Sequence, residues 1–423
     1  MRVVLEIVGF VLLSLMVIYP SALELLYVKA ILFMILLASV ISVALFSTKL
    51  NLHYEIFLIG IFFACLSLFF AVYGIESFAI GAKKQAQVYV LWPLVYMIII
   101  SGFRLTTLIS LNRVVLYCSL FCGFLGVGFV LSRVGLIPEF AVFELFDNGK
   151  QGFSLEGGVM ESRVAYMSSA PYLLPFCFAL YFMKLKEPAN YSRLLITICT
   201  FFLFLAVIVS GRRALYLIAF STPLLFYIFI QFAPKDNEFR STRGVSTFLL
   251  AFAALALLVT WFLSYLELDP VAIFDMFATG FDFSTDRSAS ARKTTFLSLI
   301  EGWNDVPILG AGHGSHVSYI RNSAMPWSYE LFYVAILFQT GLVGFSFFAL
   351  GTVWVFYRAL QIIAEGGVMS QIMLPNILGF TGILIANATN PYFVRFDGLW
   401  AFFLQVGIIN IWLISRRKSS ASS

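Results

Sequence analysis

Charged residues are scarce in this 423-residue sequence: aspartate, glutamate, lysine and arginine together make up 12% of it. A soluble globular domain averages about 25% charged residues. Hydrophobic residues account for 61% of the chain, and they recur in runs of about 20, the length that a helix needs to cross a bilayer. The composition therefore excludes a soluble domain and predicts an all-α polytopic membrane protein.

Cysteine and histidine are also rare, with five and three copies. All five cysteines lie inside apolar runs, so neither disulfides nor a cysteine metal site is expected. His313 and His316 are three residues apart, but no third ligand follows at a recognised zinc spacing. We therefore predict no bound metal and no cofactor.

Twelve apolar runs predict about twelve membrane helices in a single membrane domain, residues 1–423. The predicted spans are roughly 3–19, 25–46, 54–73, 86–101, 114–132, 166–183, 194–210, 214–232, 246–266, 328–349, 371–389 and 398–415. The first span has no small-residue cleavage site, so we expect it to stay in the protein. Twelve spans place both termini on one face, and the basic tail Arg416 to Lys418 marks that face as cytoplasmic.

One long polar segment, residues 267–327, interrupts the apolar runs and is predicted to form a large loop on the outer face. Between Ser290 and Trp303, apolar residues recur at helical spacing, which predicts an amphipathic helix suited to a membrane surface. Glycines at positions 310, 312 and 314 follow, and they permit a close approach of the backbone to a ligand. The passage is not a nucleotide-binding fingerprint, because no strand precedes it and no helix follows directly.

Two adjacent arginines, Arg212 and Arg213, lie at the tight turn between the seventh and eighth predicted spans. One interpretation is that both side chains extend to lipid headgroups. The other is an anion clamp, because guanidinium groups pair bidentately with phosphate oxygens and a helix N-terminus adds its dipole.

Other polar residues on the predicted outer face also have two interpretations. Arg163 either pairs with Glu161 or contacts a substrate, and Arg321 forms a loop salt bridge or contacts sugar or phosphate. Glu330, at the mouth of the tenth predicted span, is either paired with an arginine or acts as a base. His313 and His316 are either structural or take part in acid–base chemistry.

Three motifs in the second half of the chain resemble the O-antigen ligase/polymerase family. The passage Pro307 to Gly314 reads PILGAGHG, and the family pattern is hPLxGxGxG. The helix after Glu330 carries QTGLVG, similar to the family's xTGLxGL, and the turn SGRRAL at Ser210 to Leu215 resembles SGSRGAL. Each motif alone is weak, but their order and spacing over residues 200–345 are fairly specific. By the same resemblance, Arg213 and Arg292 occupy family arginine positions.

The resemblance implies a GT-C-like enzyme of the bacterial inner membrane that is active at the periplasmic face. Its substrate would be an oligosaccharide on undecaprenyl pyrophosphate. It implies a metal-independent glycosyl transfer in which Arg212 and Arg213 hold the donor pyrophosphate, with Arg292, Arg163 and Arg321 as further substrate contacts. Glu330 would be the catalytic base, with His313 or His316 assisting. Membrane lipid and a chain-length regulator protein are expected partners, and nucleic acid is not.

One departure from the family pattern favours polymerisation over ligation. Ligases of the family place a histidine eleven residues before the first glycine of TGLxG, where this chain has Glu330. The segment Trp327 to Glu330 instead resembles O-antigen polymerases of the Wzy type. A ligase and a lipid-linked oligosaccharide flippase are the alternative functions, and a scaffold for polysaccharide assembly explains the arginine turn poorly. Against a flippase stands the lack of visible duplication between the halves.

Overall fold

A computed structural model describes most of the chain. The residues that it describes are 2–20, 25–47, 51–77, 79–133, 135–138, 153–156, 159–162, 165–183, 191–210, 212–234, 257, 261, 287–320 and 323–422. Its helices are α1 (Arg2–Ile18), α2 (Leu26–Ser47), α3 (Tyr54–Glu76), α4 (Ala82–Ala86), α5 (Trp92–Ser101), α6 (Leu105–Arg133), α7 (Ala170–Phe182), α8 (Arg193–Val209), α9 (Arg213–Ile230), α10 (Arg287–Asp305), α11 (Phe332–Glu365), α12 (Gly367–Asn387) and α13 (Trp400–Ser422).

Six of the described helices are long and apolar enough to cross a membrane, which confirms a helical membrane protein. They are α2, α3, α6, α9, α11 and α12, and shorter apolar helices run over Glu6–Ile18, Met167–Phe182 and Arg193–Ile208. The predicted span 246–266 and the first part of the polar loop, 267–286, lie outside the described residues apart from positions 257 and 261. The count of twelve spans therefore stays a prediction.

The described chain is helical, as predicted, apart from a two-stranded antiparallel hairpin within residues 153–162 that the sequence did not predict. Strand β1 (Phe153–Glu156) pairs antiparallel with β2 (Val159–Ser162), with Phe153 opposite Ser162 and Glu156 opposite Val159. The hairpin lies in the loop between the fifth and sixth predicted spans.

A π-helix turn, Gln87–Leu91, joins α4 to α5. Pro93 follows it and has no N–H, so the carbonyl of Tyr89 loses its usual α-helical donor. The amide of Trp92 instead donates to the Gln87 carbonyl five residues back. The wide turn therefore lies directly before the point at which a proline interrupts the helical hydrogen bonds.

A buried polar network links four helices within the apolar core. Tyr172 Oη donates to Asn376 Oδ1 at 2.6 Å, and Asn376 Nδ2 donates to Asn112 Oδ1 at 2.9 Å. Gln405 Nε2 donates to Tyr172 Oη at 3.3 Å. Side-chain hydrogen bonds of this kind fix the mutual register of membrane helices, where apolar contacts alone discriminate poorly.

Between α12 and α13 the chain turns back into the bundle. Asn410 on α13 bonds to Asn51 and His53, at the start of α3, and only ten residues separate it from the first residue of α13. Ten helical residues span about 15 Å, whereas the 23 residues of α3 span about 34 Å. Residues 388–399 therefore descend well below the end of α3, where non-helical backbone has to be enclosed by protein.

Candidate functional site

The motifs singled out in the sequence gather at one end of the bundle. Residues 306–320 pack against the end of α3, because the amide of His313 donates to the Phe70 carbonyl at 3.0 Å. Tyr333 Oη on α11 donates to the Leu384 carbonyl at 2.6 Å, close to the end of α12. We call the end of the bundle formed by residues 306–320, the turn before α9 and the end of α12 the loop face.

Helix α11 is broken at Gly341, whose φ of 60° and ψ of −167° are not helical. The passage from Pro307 to Gly312 fills the break and supplies partners to the backbone groups on both sides. The four bonds are Ala311 N to Phe338 O (2.9 Å), Gly312 N to Gln339 O (2.8 Å), Leu342 N to Pro307 O (2.9 Å) and Val343 N to Ile308 O (3.1 Å). The break would otherwise leave backbone N–H and carbonyl groups of α11 without hydrogen-bond partners, and these four bonds satisfy them. The passage from Pro307 to Gly314 and the segment around Gly341 therefore form a single structural unit.

Glycine is required where these two segments cross. Gly310 and Gly341 have φ values of 68° and 60°, which favour glycine. A Cβ on Gly310 would lie 2.4 Å from Gly341 N, and one on Gly341 would lie 2.2 Å from Ile308 O. These glycines therefore permit contact between two backbone segments, whereas the sequence suggested close contact with a ligand.

The two histidines of the motif lie in different environments. His313 is 3% exposed, and its ring stacks on Tyr89 with centroids 4.9 Å apart. Burial lowers the pKa of His313 to about 4, and a contact with the Gln339 side chain opposes this shift. His316, in contrast, is exposed. The structure thus places His313 within the protein and leaves His316 at the surface of the loop face.

Arg292 and Glu330 form an ion pair at the loop face. Arg292 Nε lies 3.2 Å from Glu330 Oε2, and the side chains are 32% and 34% exposed. The expected helix over 290–303 is present as α10, and it brings Arg292 to this position. The carboxylate and the guanidinium therefore meet where both are partly accessible to solvent.

A small apolar cluster holds that pair in place. Leu299 of α10 is fully buried, and it packs in one cluster with Tyr329, just before α11, and with Ala335 and Phe338 on α11. Helix α10 therefore packs on the first part of α11. Tyr329 Oη also accepts a hydrogen bond of 2.8 Å from the amide of Val317. Phe296 and Leu297 remain exposed on α10, and they are the apolar residues left for contact with a membrane surface.

The arginine turn also lies at the loop face. Arg213 is the first residue of α9, and the first turn of that helix contains no acidic residue. Tyr216 Oη donates to the Ile208 carbonyl at 2.6 Å, which ties α9 to the end of α8. The helix dipole opposes cations at this end, so an anion bound between the arginines would relieve the repulsion.

Residues 388–399 lie near the charge of the arginine turn and also pack on the start of α11. Burial raises the pKa of Tyr392, and the nearby positive charge of Arg212 opposes that rise. The next residue, Phe393, lies with its ring centroid 6.0 Å from that of Phe332, two residues after Glu330. Arg163 and Arg321, the other two predicted contacts, lie outside the described residues.

Sequence reasoning missed a second pair of charges, Lys29 and Asp397. Lys29 Nζ lies 2.7 Å from Asp397 Oδ2, and it also donates to the carbonyl of Tyr19. Both residues are buried. Lys29 stands alone in the apolar run of α2, and a lone charge inside a membrane helix is a signal that could have identified it.

The fold and the apolar helices define the protein as a multi-span helical membrane protein. In comparisons with known proteins, no family model, no functionally described sequence and no solved structure matches the chain. Its function therefore has to be inferred from its own residues and their geometry.

Proposed function

We propose that the protein is a surface-polysaccharide polymerase, a glycosyltransferase of the bacterial inner membrane. It transfers a growing glycan from undecaprenyl pyrophosphate to a lipid-linked repeat unit at the periplasmic face. The observation that carries this proposal is the Arg292–Glu330 pair, held at 3.2 Å at the loop face. The arginine turn at the same face supplies the positive charge that a pyrophosphate needs.

In the proposed reaction, the acceptor hydroxyl oxygen attacks the anomeric carbon of the donor sugar. The bond between that carbon and the pyrophosphate oxygen breaks, and its electron pair leaves with the pyrophosphate. Arg212 and Arg213 stabilise the charge that develops there, because fixed cations beside a departing anion lower the barrier. Glu330 accepts the proton of the acceptor hydroxyl.

Arg292 has a positioning role in this mechanism. Its ion pair with Glu330 fixes the direction of the carboxylate, and α10 fixes Arg292 through the buried Leu299. His313 is buried inside the protein, so we assign it no proton transfer. His316 stays a candidate for contact with the sugar chain, because it is exposed at the same face.

The flippase alternative requires a polar path for the oligosaccharide. The cavity between α3, α5, α11 and α13 has uncharged and mainly apolar lining residues, which suit a hydrocarbon chain better than a sugar. The ligase alternative is disfavoured by Glu330 at the position where the resemblance expects a histidine. Polymerisation therefore accounts best for the residues at the loop face.

The test is complementation of a strain from which the protein has been deleted, with surface polysaccharide resolved as a ladder on a gel. We expect Arg213→Ala and Glu330→Gln to reduce the ladder to single repeat units while the protein remains in the membrane. Arg213→Lys should fail too, because lysine offers a point charge in place of a bidentate fork. Arg193→Ala is the matched control, since Arg193 is exposed at the opposite end of α8, and it should leave the ladder intact.

The deletion strain itself separates the alternatives. If the deletion strain exports single repeat units and attaches them to the lipopolysaccharide core, the protein is a polymerase. Units that accumulate inside the cell would indicate a flippase, and long polymer that stays on the lipid carrier would indicate a ligase. A full ladder from both Arg213→Ala and Glu330→Gln would overturn the proposed site.

A further inference from the structure

A cavity lies within the bundle, between α3, α5, α11 and α13, and has a volume of about 200 Å³. Its lining follows α3 from Ile56 to Phe70, a length of about 21 Å at the rise of an α-helix. Every lining residue that the structure describes is uncharged, and most are apolar. The cavity is therefore long and mainly apolar, and it is suited to a hydrocarbon chain.

The end of the cavity nearest the loop face is polar. Tyr89 and His313 both line it, and their rings stack with centroids 4.9 Å apart at an angle of 26°. Neither Tyr89 Oη nor His313 Nδ1 has a hydrogen-bond partner among the described residues, although both atoms are buried. A buried polar atom without a partner costs about 1–3 kcal/mol, so these two atoms on stacked rings favour a bound group that can hydrogen-bond to both.

Backbone features fix both side chains in place. Tyr89 belongs to the π-helix turn before Pro93, and such turns are frequent at functional sites. The backbone N–H of His313 donates a hydrogen bond to the Phe70 carbonyl and holds this residue in place. A Cβ on the preceding Gly312 would lie 2.6 Å from Gly74, so the backbone there cannot be displaced easily. The two polar groups are thus preorganised before any ligand binds.

We propose that this cavity binds a neutral long-chain lipid alcohol. Its hydroxyl donates to His313 Nδ1 and accepts from Tyr89 Oη, while its chain extends along α3 toward Ile56. A phosphate or carboxylate headgroup does not fit, because a buried anion needs a cation beside it and the described lining provides none.

The chain enters from the surrounding bilayer between α3 and α11. Phe63, Leu66 and Ser67 on α3 and Gly351 on α11 line the cavity and are only half-buried. Neither Arg292 nor Glu330 lines this cavity, and the proposal does not depend on the polymerase activity. Binding and polymerisation can therefore be measured independently.

The experiment is photolabelling of the purified protein with a diazirine analogue of hexadecanol, read by mass spectrometry of labelled peptides. We expect saturable labelling on α3 and α11, with competition by hexadecanol and little competition by hexadecyl phosphate. Tyr89→Phe should weaken binding about 2- to 10-fold, the range for one neutral hydrogen bond. Tyr54→Phe is the matched control, because Tyr54 is 63% exposed at the start of the same α3, and it should not alter binding.

A second variant closes the cavity without touching its polar end. Ser67→Phe should abolish labelling, whereas Cys65→Phe, on the exposed side of the same helix, should leave it unchanged. Labelling that neither Tyr89→Phe nor Ser67→Phe reduces would overturn the proposal, as would equal competition by hexadecyl phosphate. Since Tyr89→Phe removes an unpartnered buried hydroxyl, the ligand-free variant should fold at least as well as the parent protein.

Discussion

Lys29 Nζ and Asp397 Oδ2 lie 2.7 Å apart, and their side chains are 0% and 2% exposed. The pair connects α2 to residues 388–399, which descend into the bundle before α13. Those residues also carry Tyr392, which senses the charge of Arg212, and Phe393, which packs on Phe332 two residues after Glu330. The buried ion pair therefore supports a segment that lies near both parts of the proposed site.

Removal of one member of this pair should be far more damaging than removal of both. Asp397→Ala leaves a buried lysine without its counter-ion, and we expect a loss of about 3–5 kcal/mol in stability. The double variant Lys29→Met, Asp397→Leu replaces the charges with apolar side chains of similar size and should recover most of that loss. The apparent unfolding temperature in detergent measures the loss in Asp397→Ala and the recovery in the double variant.

The control is the pair Arg416–Glu365, whose side chains are 57% and 43% exposed. Arg416→Ala should change stability little, since exposed ion pairs contribute about 0–1 kcal/mol. Equal losses from Asp397→Ala and from the double variant would contradict a charge-pairing role and indicate that the shape of the two side chains matters more.

The second prediction concerns the point where the backbone at Gly310 crosses the backbone at Gly341. Gly341→Ala places a methyl group 2.2 Å from Ile308 O, so it should separate the passage at Pro307 from α11. Loss of folded protein on size-exclusion chromatography of detergent extracts is the expected result. Gly367→Ala is the control, because Gly367 has a similar φ of 70° but open space around its Cβ position. If both variants behave alike, backbone conformation alone accounts for the effect.

The membrane helices could be predicted from the sequence because each depends on a local run of apolar residues. The span predicted at 54–73 corresponds to the helix Tyr54–Glu76, and the span predicted at 194–210 corresponds to the helix Arg193–Val209. Local composition also marked the segment that forms α10. The β-hairpin at 153–162 was missed, because short strands in a polar loop give little periodic signal.

The site was predicted less well, since its geometry depends on contacts between distant residues. The sequence offered an arginine partner for Glu330 as one interpretation, and the structure shows such a pair, but the sequence did not identify the partner as Arg292, 38 positions away. It identified the glycine passage but not that the passage fills a break in α11. The Lys29–Asp397 pair spans 368 positions, and no local pattern connects its members. The roles of Arg212 and Arg213 stay predictions.

The pH dependence of stability should be traceable to His313. Its pKa is about 4 in the folded protein, against an ordinary value of 6.5. Between these two values the unfolded chain binds the proton and the folded protein does not, so stability falls as the pH drops below 6.5. From pH 7.5 to 5 the expected loss is about 2 kcal/mol, whereas stability should be nearly independent of this residue above pH 7.5.

The measurement compares apparent unfolding temperatures at pH 7.5 and pH 5.0 for three proteins. His313→Phe keeps a ring against Tyr89 and Phe70 but cannot take up a proton, so its drop between the two pH values should be smaller than that of the parent protein. His316→Phe should retain the full drop, because His316 is exposed three residues away in the same loop. An unchanged drop in His313→Phe would assign the acid sensitivity to other groups and remove His313 from this explanation.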